Sequence, residues 1–101
     1  MKPSERGDFE LPIGSLTFTI RFVEKVVGEG DEDLDGFYDP NTDTISIKSS
    51  MSEQRQRQTL WHEIMHAILE EGGFQELSEK ESLVDLLAHG ILSIRKRARW
   101  L

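Results

Sequence analysis

Cysteine is absent from the 101 residues, so disulfides and thiolate metal ligands are excluded and a reducing compartment is allowed. Long apolar runs are missing as well. The first dozen residues are charged or turn-forming, which gives no secretory signal, and nothing later is long enough to span a bilayer. A cytoplasmic protein is the expectation. Positive charge is scarce: twelve Lys and Arg face nineteen Asp and Glu, a formal net charge of −7, which argues against direct nucleic-acid binding because that depends on neutralising phosphates. The length allows a single domain, residues 1–101, with one modest core and no second catalytic unit.

What charge there is lies unevenly. Residues 1–50 hold five basic and eleven acidic side chains, whereas four of the seven basic groups that follow are crowded into Arg95-Lys96-Arg97-Ala98-Arg99. This tail reads first as a solvated helix end, where cations suit the macrodipole, and second as a contact for an acidic partner.

Residues 1–14 contain Pro3, Gly7, Pro12 and Gly14 among charges and are expected to form a loose lead-in. From Leu16 the pattern alternates: Leu16, Phe18, Ile20 and Phe22 are apolar, Thr17, Thr19 and Arg21 polar, which is a half-buried strand. An acidic, glycine-punctuated loop follows. Asp31, Asp33, Asp35 and Gly36 match the first half of a calcium loop, but Thr42 stands where the bidentate Glu is needed and the flanks read as strands, so a solvated hairpin connection is the better account. Gly36-Phe37-Tyr38 and Thr44 to Lys48 are two further strands, joined by the turn residues Asp39-Pro40-Asn41-Thr42. The three strands are expected to form a small antiparallel sheet.

Ser50 and Glu53 stand at capping-box spacing and open a helix over about 51–71, which Gly72-Gly73 ends. A second helix, about 79–97, carries an apolar stripe of Leu83, Val84, Leu87, Ile91 and Ile94. The fold class is therefore α+β.

The first helix contains His62-Glu63-Ile64-Met65-His66, an H-E-x-x-H. With three His and twelve Glu in 101 residues, chance supplies this pattern in about 1% of sequences, so it is fairly specific. Residues four apart share a helix face, so His62 and His66 can turn imidazole nitrogens to one ion. Leu60, Ile64, Ala67 and Ile68 form the core stripe on a different side. Two imidazoles and one carboxylate suit Zn2+ and leave a position open for a water whose pKa falls from about 15.7 towards roughly 7. Glu63, one step round the helix, is placed to take that water's proton.

A third ligand must come from the second helix, where Glu81, Asp85 and His89 lie four apart along one side, with Ala88 leaving room beside them. Glu81 could complete the set and Asp85 hold the far nitrogen of a ligand His. Two rival accounts stay open. Ser78 and Glu81 are at capping-box spacing, and either Asp85 or His89 could be the ligand in place of Glu81.

The helix from Thr59 to Leu69, with Glu81, Asp85 and Ala88 after it, resembles the gluzincin metallopeptidases with H-E-x-x-H and E-x-x-x-D. Among them it is most similar to the small ImmA/IrrE-type proteins of phages and mobile elements, over roughly residues 36–92. The resemblance implies His62, His66 and Glu81 as zinc ligands, Glu63 as general base and Asp85 as the group behind a ligand histidine. It further implies a minimal zincin-like fold and an endopeptidase acting on a protein substrate, typically a repressor-type regulator. The edge strand beside the metal would be Thr44 to Lys48, open to a substrate peptide by strand addition. The rival function is a non-catalytic, zinc-stabilised protein-binding module, since a metal would help to fold a chain with so limited a core.

Overall fold

The computed structural model describes residues 7–30, 32–98 and 100. Six strands are followed by three helices: β1 (Phe9–Ile13), β2 (Leu16–Val23), β3 (Val26–Val27), β4 (Asp33–Leu34), β5 (Gly36–Asp39), β6 (Thr44–Lys48), α1 (Glu53–Glu71), α2 (Gln75–Ser78) and α3 (Glu81–Arg97). The architecture is α+β, with a sheet covered on one face by the helices.

Alternation in β2 sends Phe18 and Ile20 fully into the interior, while Thr17 and Arg21 stay exposed. Ile45 and Ile47 of β6 do the same. Against these four side chains pack Ile64, Met65 and Ala67 of α1 and Val84 and Ala88 of α3. Each fully buried aliphatic or aromatic side chain of this kind contributes about 1.5–3 kcal/mol of transfer free energy.

The sheet departs from the three-stranded antiparallel expectation. It has four strands in the order β1-β2-β6-β5 and is mixed, because β2 and β6 run parallel with Ile20 opposite Ile45 and Phe22 opposite Ile47. Apolar alternation fixes which face of a strand is buried, but not which strand lies beside it. Here β6 inserts between β2 and β5, so Thr44 to Lys48 is interior and the free edge beside α1 is β5.

The fourth strand, β1, falls where a loose lead-in was expected. Pro12 masks it in the sequence and is tolerated because β1 is an edge strand. Phe9, Leu11 and Ile13 pair with Ile20, Phe18 and Leu16, and Gly14, at φ +62°, makes the tight Gly14-Ser15 turn.

The acidic loop is a two-stranded ribbon of β3 and β4. The Lys48 ammonium lies 2.7 Å from Asp33 and holds that carboxyl below the usual carboxylate range, while Asp33 raises Lys48 in turn. A cation from the chain itself thus engages Asp33; Asp31 lies outside the described residues.

Ser52, and not Ser50, caps α1, its Oγ accepting from the Arg55 amide at 3.2 Å. Buried Gln56 donates to the carbonyls of Ser49 and Met51, 3.1 Å each, which fixes the chain's entry into the helix. Gly72 caps the other end and Gly73, at φ +86°, turns the chain away. Lys80 opens α3 without a side-chain cap bond, so the Ser78–Glu81 capping box does not form. At the far end of α3, Arg95 sits over the Trp61 ring of α1, 5.7 Å from its centroid, and Lys96 and Arg97 are exposed. Arg99 lies outside the described residues. Among the described residues no helix is long and apolar enough to cross a membrane.

Candidate functional site

Helix α1 presents His62 and His66 on one face, and the antiparallel packing of α3 brings Glu81 opposite them. His62 Nε2 lies 3.2 Å from His66 Nε2, and the two carboxylate oxygens of Glu81 lie 3.0 Å from these two nitrogens. Ligand atoms at about 2.0–2.1 Å from a tetrahedral ion stand roughly 3.3 Å apart. The observed spacing is close to that, and imidazole and carboxylate are donors such an ion takes. His62, His66 and Glu81 therefore fit a divalent metal, as their mutual reach also indicates.

The lone pairs have to point inward for this to work. Asp85 Oδ1 lies 2.7 Å from His62 Nδ1, and a carboxylate only accepts, so Nδ1 donates there, while Nε2, 3.0 Å from Glu81 Oε2, would turn its lone pair to a bound ion. On His66, Nδ1 meets Ser78 Oγ at 2.8 Å.

The chain belongs to the Peptidase_M78 family. The model of that family, described as the IrrE N-terminal-like domain, matches residues 17–85. The match begins in β2, earlier than the resemblance over 36–92 reached, and it closes on Asp85, one turn beyond Glu81. No curated relative and no solved structure matches the chain. Membership of Peptidase_M78 points to a metallopeptidase-type function.

Glu63 sits beside the trio and lines the clefts on both sides of it. One cleft, of about 580 Å³, is bounded by Phe37, Tyr38 and Asp39 of β5 and by His62, His66 and Glu81. Burial pushes the Glu63 carboxyl up to about 7; the Glu81 charge adds to the rise, while His62 and the Tyr38 backbone amide oppose it. Burial likewise lowers His66, against the pull of Glu81. Glu63 is thus a carboxyl able to take or give a proton near neutral pH, in a Peptidase_M78 site that has paired donors for an ion next to it.

The other sequence candidates fall differently. His89, exposed one turn beyond Asp85, lines the second cleft but is not part of the trio. Ala88 is packed in the core and not at the ion site. Sequence reasoning missed Ser78 and Glu70, which lie 2.8 Å apart behind His66. Glu70 had a signal, because it continues the four-residue spacing of His62 and His66 on the same helix face. Ser78 had none beyond its false capping pattern.

Proposed function

We propose that this chain is a zinc-dependent endopeptidase of the gluzincin type, with a minimal zincin-like fold, acting in the cytoplasm on a protein substrate. A repressor-type regulator of a phage or mobile element is the substrate class that the ImmA/IrrE resemblance favours. The observation that carries the reading is the convergence of His62 Nε2, His66 Nε2 and the Glu81 carboxylate, at 3.0 to 3.2 Å, beside a carboxyl that is not one of the three.

His62, His66 and Glu81 would hold the ion, with Asp85 keeping the His62 ring in its ligating orientation. When bound, zinc supplies Lewis acidity for a scissile carbonyl and lowers the pKa of water from about 15.7 towards roughly 7. A Glu63 carboxylate oxygen takes the proton of the attacking water and delivers it to the leaving nitrogen. The free edge of β5 borders the cleft, so an extended peptide laid along it adds a strand and gains main-chain hydrogen bonds. This edge replaces Thr44 to Lys48 in that role.

The non-catalytic binding module is the weaker reading, because a purely structural ion site has no use for a carboxyl held at the cleft as Glu63 is. Glu63→Gln separates the two. The variant should bind about one zinc per chain and lose all cleavage of a repressor-type protein encoded beside it. Full activity in the variant, or a wild type that takes up no zinc when it is supplied, would overturn the proposal.

A further inference from the structure

The two ligand histidines are backed in different ways. His62 meets a carboxylate directly, whereas His66 Nδ1 meets a hydroxyl, Ser78 Oγ, at 2.8 Å. A hydroxyl can donate or accept, so by itself it does not decide which nitrogen of the ring carries the proton. On the Nδ1 side a third group settles which way that hydroxyl points. Ser78 Oγ lies 2.8 Å from Glu70 Oε2, and a carboxylate offers only lone pairs. The single hydroxyl proton therefore goes to Glu70, and Oγ is left to accept from the imidazole.

We infer that Glu70, acting through Ser78, is a positioning residue that favours the Nδ1–H tautomer of neutral His66 and so presents the Nε2 lone pair to the ion site. The elements make this relay possible. Glu70 follows His66 by one helical turn on α1, and the Gly72-Gly73 turn brings α2 back so that Ser78, only 2% exposed, sits between them. Glu70 is joined to the His66 ring through Ser78, and removing it frees the Ser78 proton to turn towards His66 Nδ1. The ring would then carry its own proton on Nε2, aimed at the position of the metal. Glu81 Oε1, 3.0 Å from Nε2, draws the ring proton the other way in the metal-free chain, so the relay is read with that carboxylate removed; its use as a ligand control rests on the metallopeptidase reading.

The test is the tautomer of His66 in the metal-free full chain carrying Glu81→Ala, which removes the carboxylate 3.0 Å from Nε2, read by long-range proton–nitrogen NMR at about pH 8, above the ordinary imidazole pKa of about 6.5. That chain should show Nδ1–H. Adding Glu70→Ala should move His66 towards Nε2–H, adding Ser78→Ala should give a mixture, and adding Ser78→Thr, which keeps the hydroxyl, should leave Nδ1–H in place. With Glu81 intact, zinc affinity, measured by chelator competition, should fall about 10–100-fold in Glu70→Ala and Ser78→Ala and hold in Ser78→Thr. Nε2–H in the Glu81→Ala chain, or an unmoved tautomer and affinity on adding Glu70→Ala, would overturn the relay. Nδ1–H in the Glu81→Ala chain together with a wild type that binds no zinc would instead overturn the metallopeptidase reading and leave the relay standing.

Discussion

A Cβ placed on Gly36 would stand 2.5 Å from Thr59 Cγ2, so β5 lies against α1 as closely as bare backbone allows. The same atom would meet Glu63 Cγ at 3.3 Å and Ile47 Cδ1 at 3.4 Å. This close approach keeps the free edge of the sheet next to the carboxyl proposed as general base, and it ties a backbone property to that proposal. Gly36→Ala should destabilise the fold by about 1–3 kcal/mol, the usual cost of overpacking, and reduce activity by moving β5 off Glu63. Thr59→Ser removes the methyl that the new Cβ meets, and the double variant should recover most of the loss. Thermal melts of the four proteins check this, and an unchanged melting temperature in Gly36→Ala would show that α1 and β5 separate freely.

Tyr38, on the same strand, is 6% exposed, and its hydroxyl finds no hydrogen-bond partner of good geometry among the described residues. Burial, then the charges of Glu71, Glu70 and Asp43, push its pKa up to about 12. The unfolded chain ionises first, near 10. Stability is therefore intact below about pH 10 and is lost as the pH rises towards 12, by roughly 2–3 kcal/mol at the top of that window. Tyr38→Phe should be close to neutral at pH 7, since its hydroxyl has no well-formed partner to lose, and should remove the Tyr38 share of the alkaline loss. Urea melts at pH 7, 10 and 11.5 would read both effects.

Local chemistry was legible in the sequence, and long-range arrangement was not. The bounds of β6 and the end of α1 at Gly72 follow from alternation and from glycine, both of which act within a few residues. The order of strands does not, because the parallel pairing of β2 with β6 depends on which apolar faces close one core. Pro12 hid β1, since only the finished sheet shows that its strand is an edge. At the site, spacing alone pairs His62 with His66, whereas the approach of Glu81 needs the packing of α3 on α1. Ser78 was unreadable for the same reason: its pattern fits a helix cap, and only the turn at Gly73 aims it at His66 instead.

Glu81, Asp85 and His89 stood as alternatives in the sequence, and their positions now order them. Both Glu81 oxygens face the imidazole Nε2 atoms at 3.0 Å, Asp85 faces the outer nitrogen of His62 at 2.7 Å, and His89 joins neither contact. A ligand, a group behind a ligand and a bystander should respond differently to removal. Glu81→Ala should leave no zinc bound after dialysis, because two imidazoles alone hold the ion weakly. Asp85→Ala should still load with zinc but with affinity lower by about 10–100-fold, since the His62 ring loses its fixed tautomer and orientation. His89→Ala should match the wild type. Elemental analysis and chelator competition on the three variants give this ranking directly, and a severe loss in His89→Ala with none in Glu81→Ala would mean that α3 meets the ion one or two turns further along than the packing indicates.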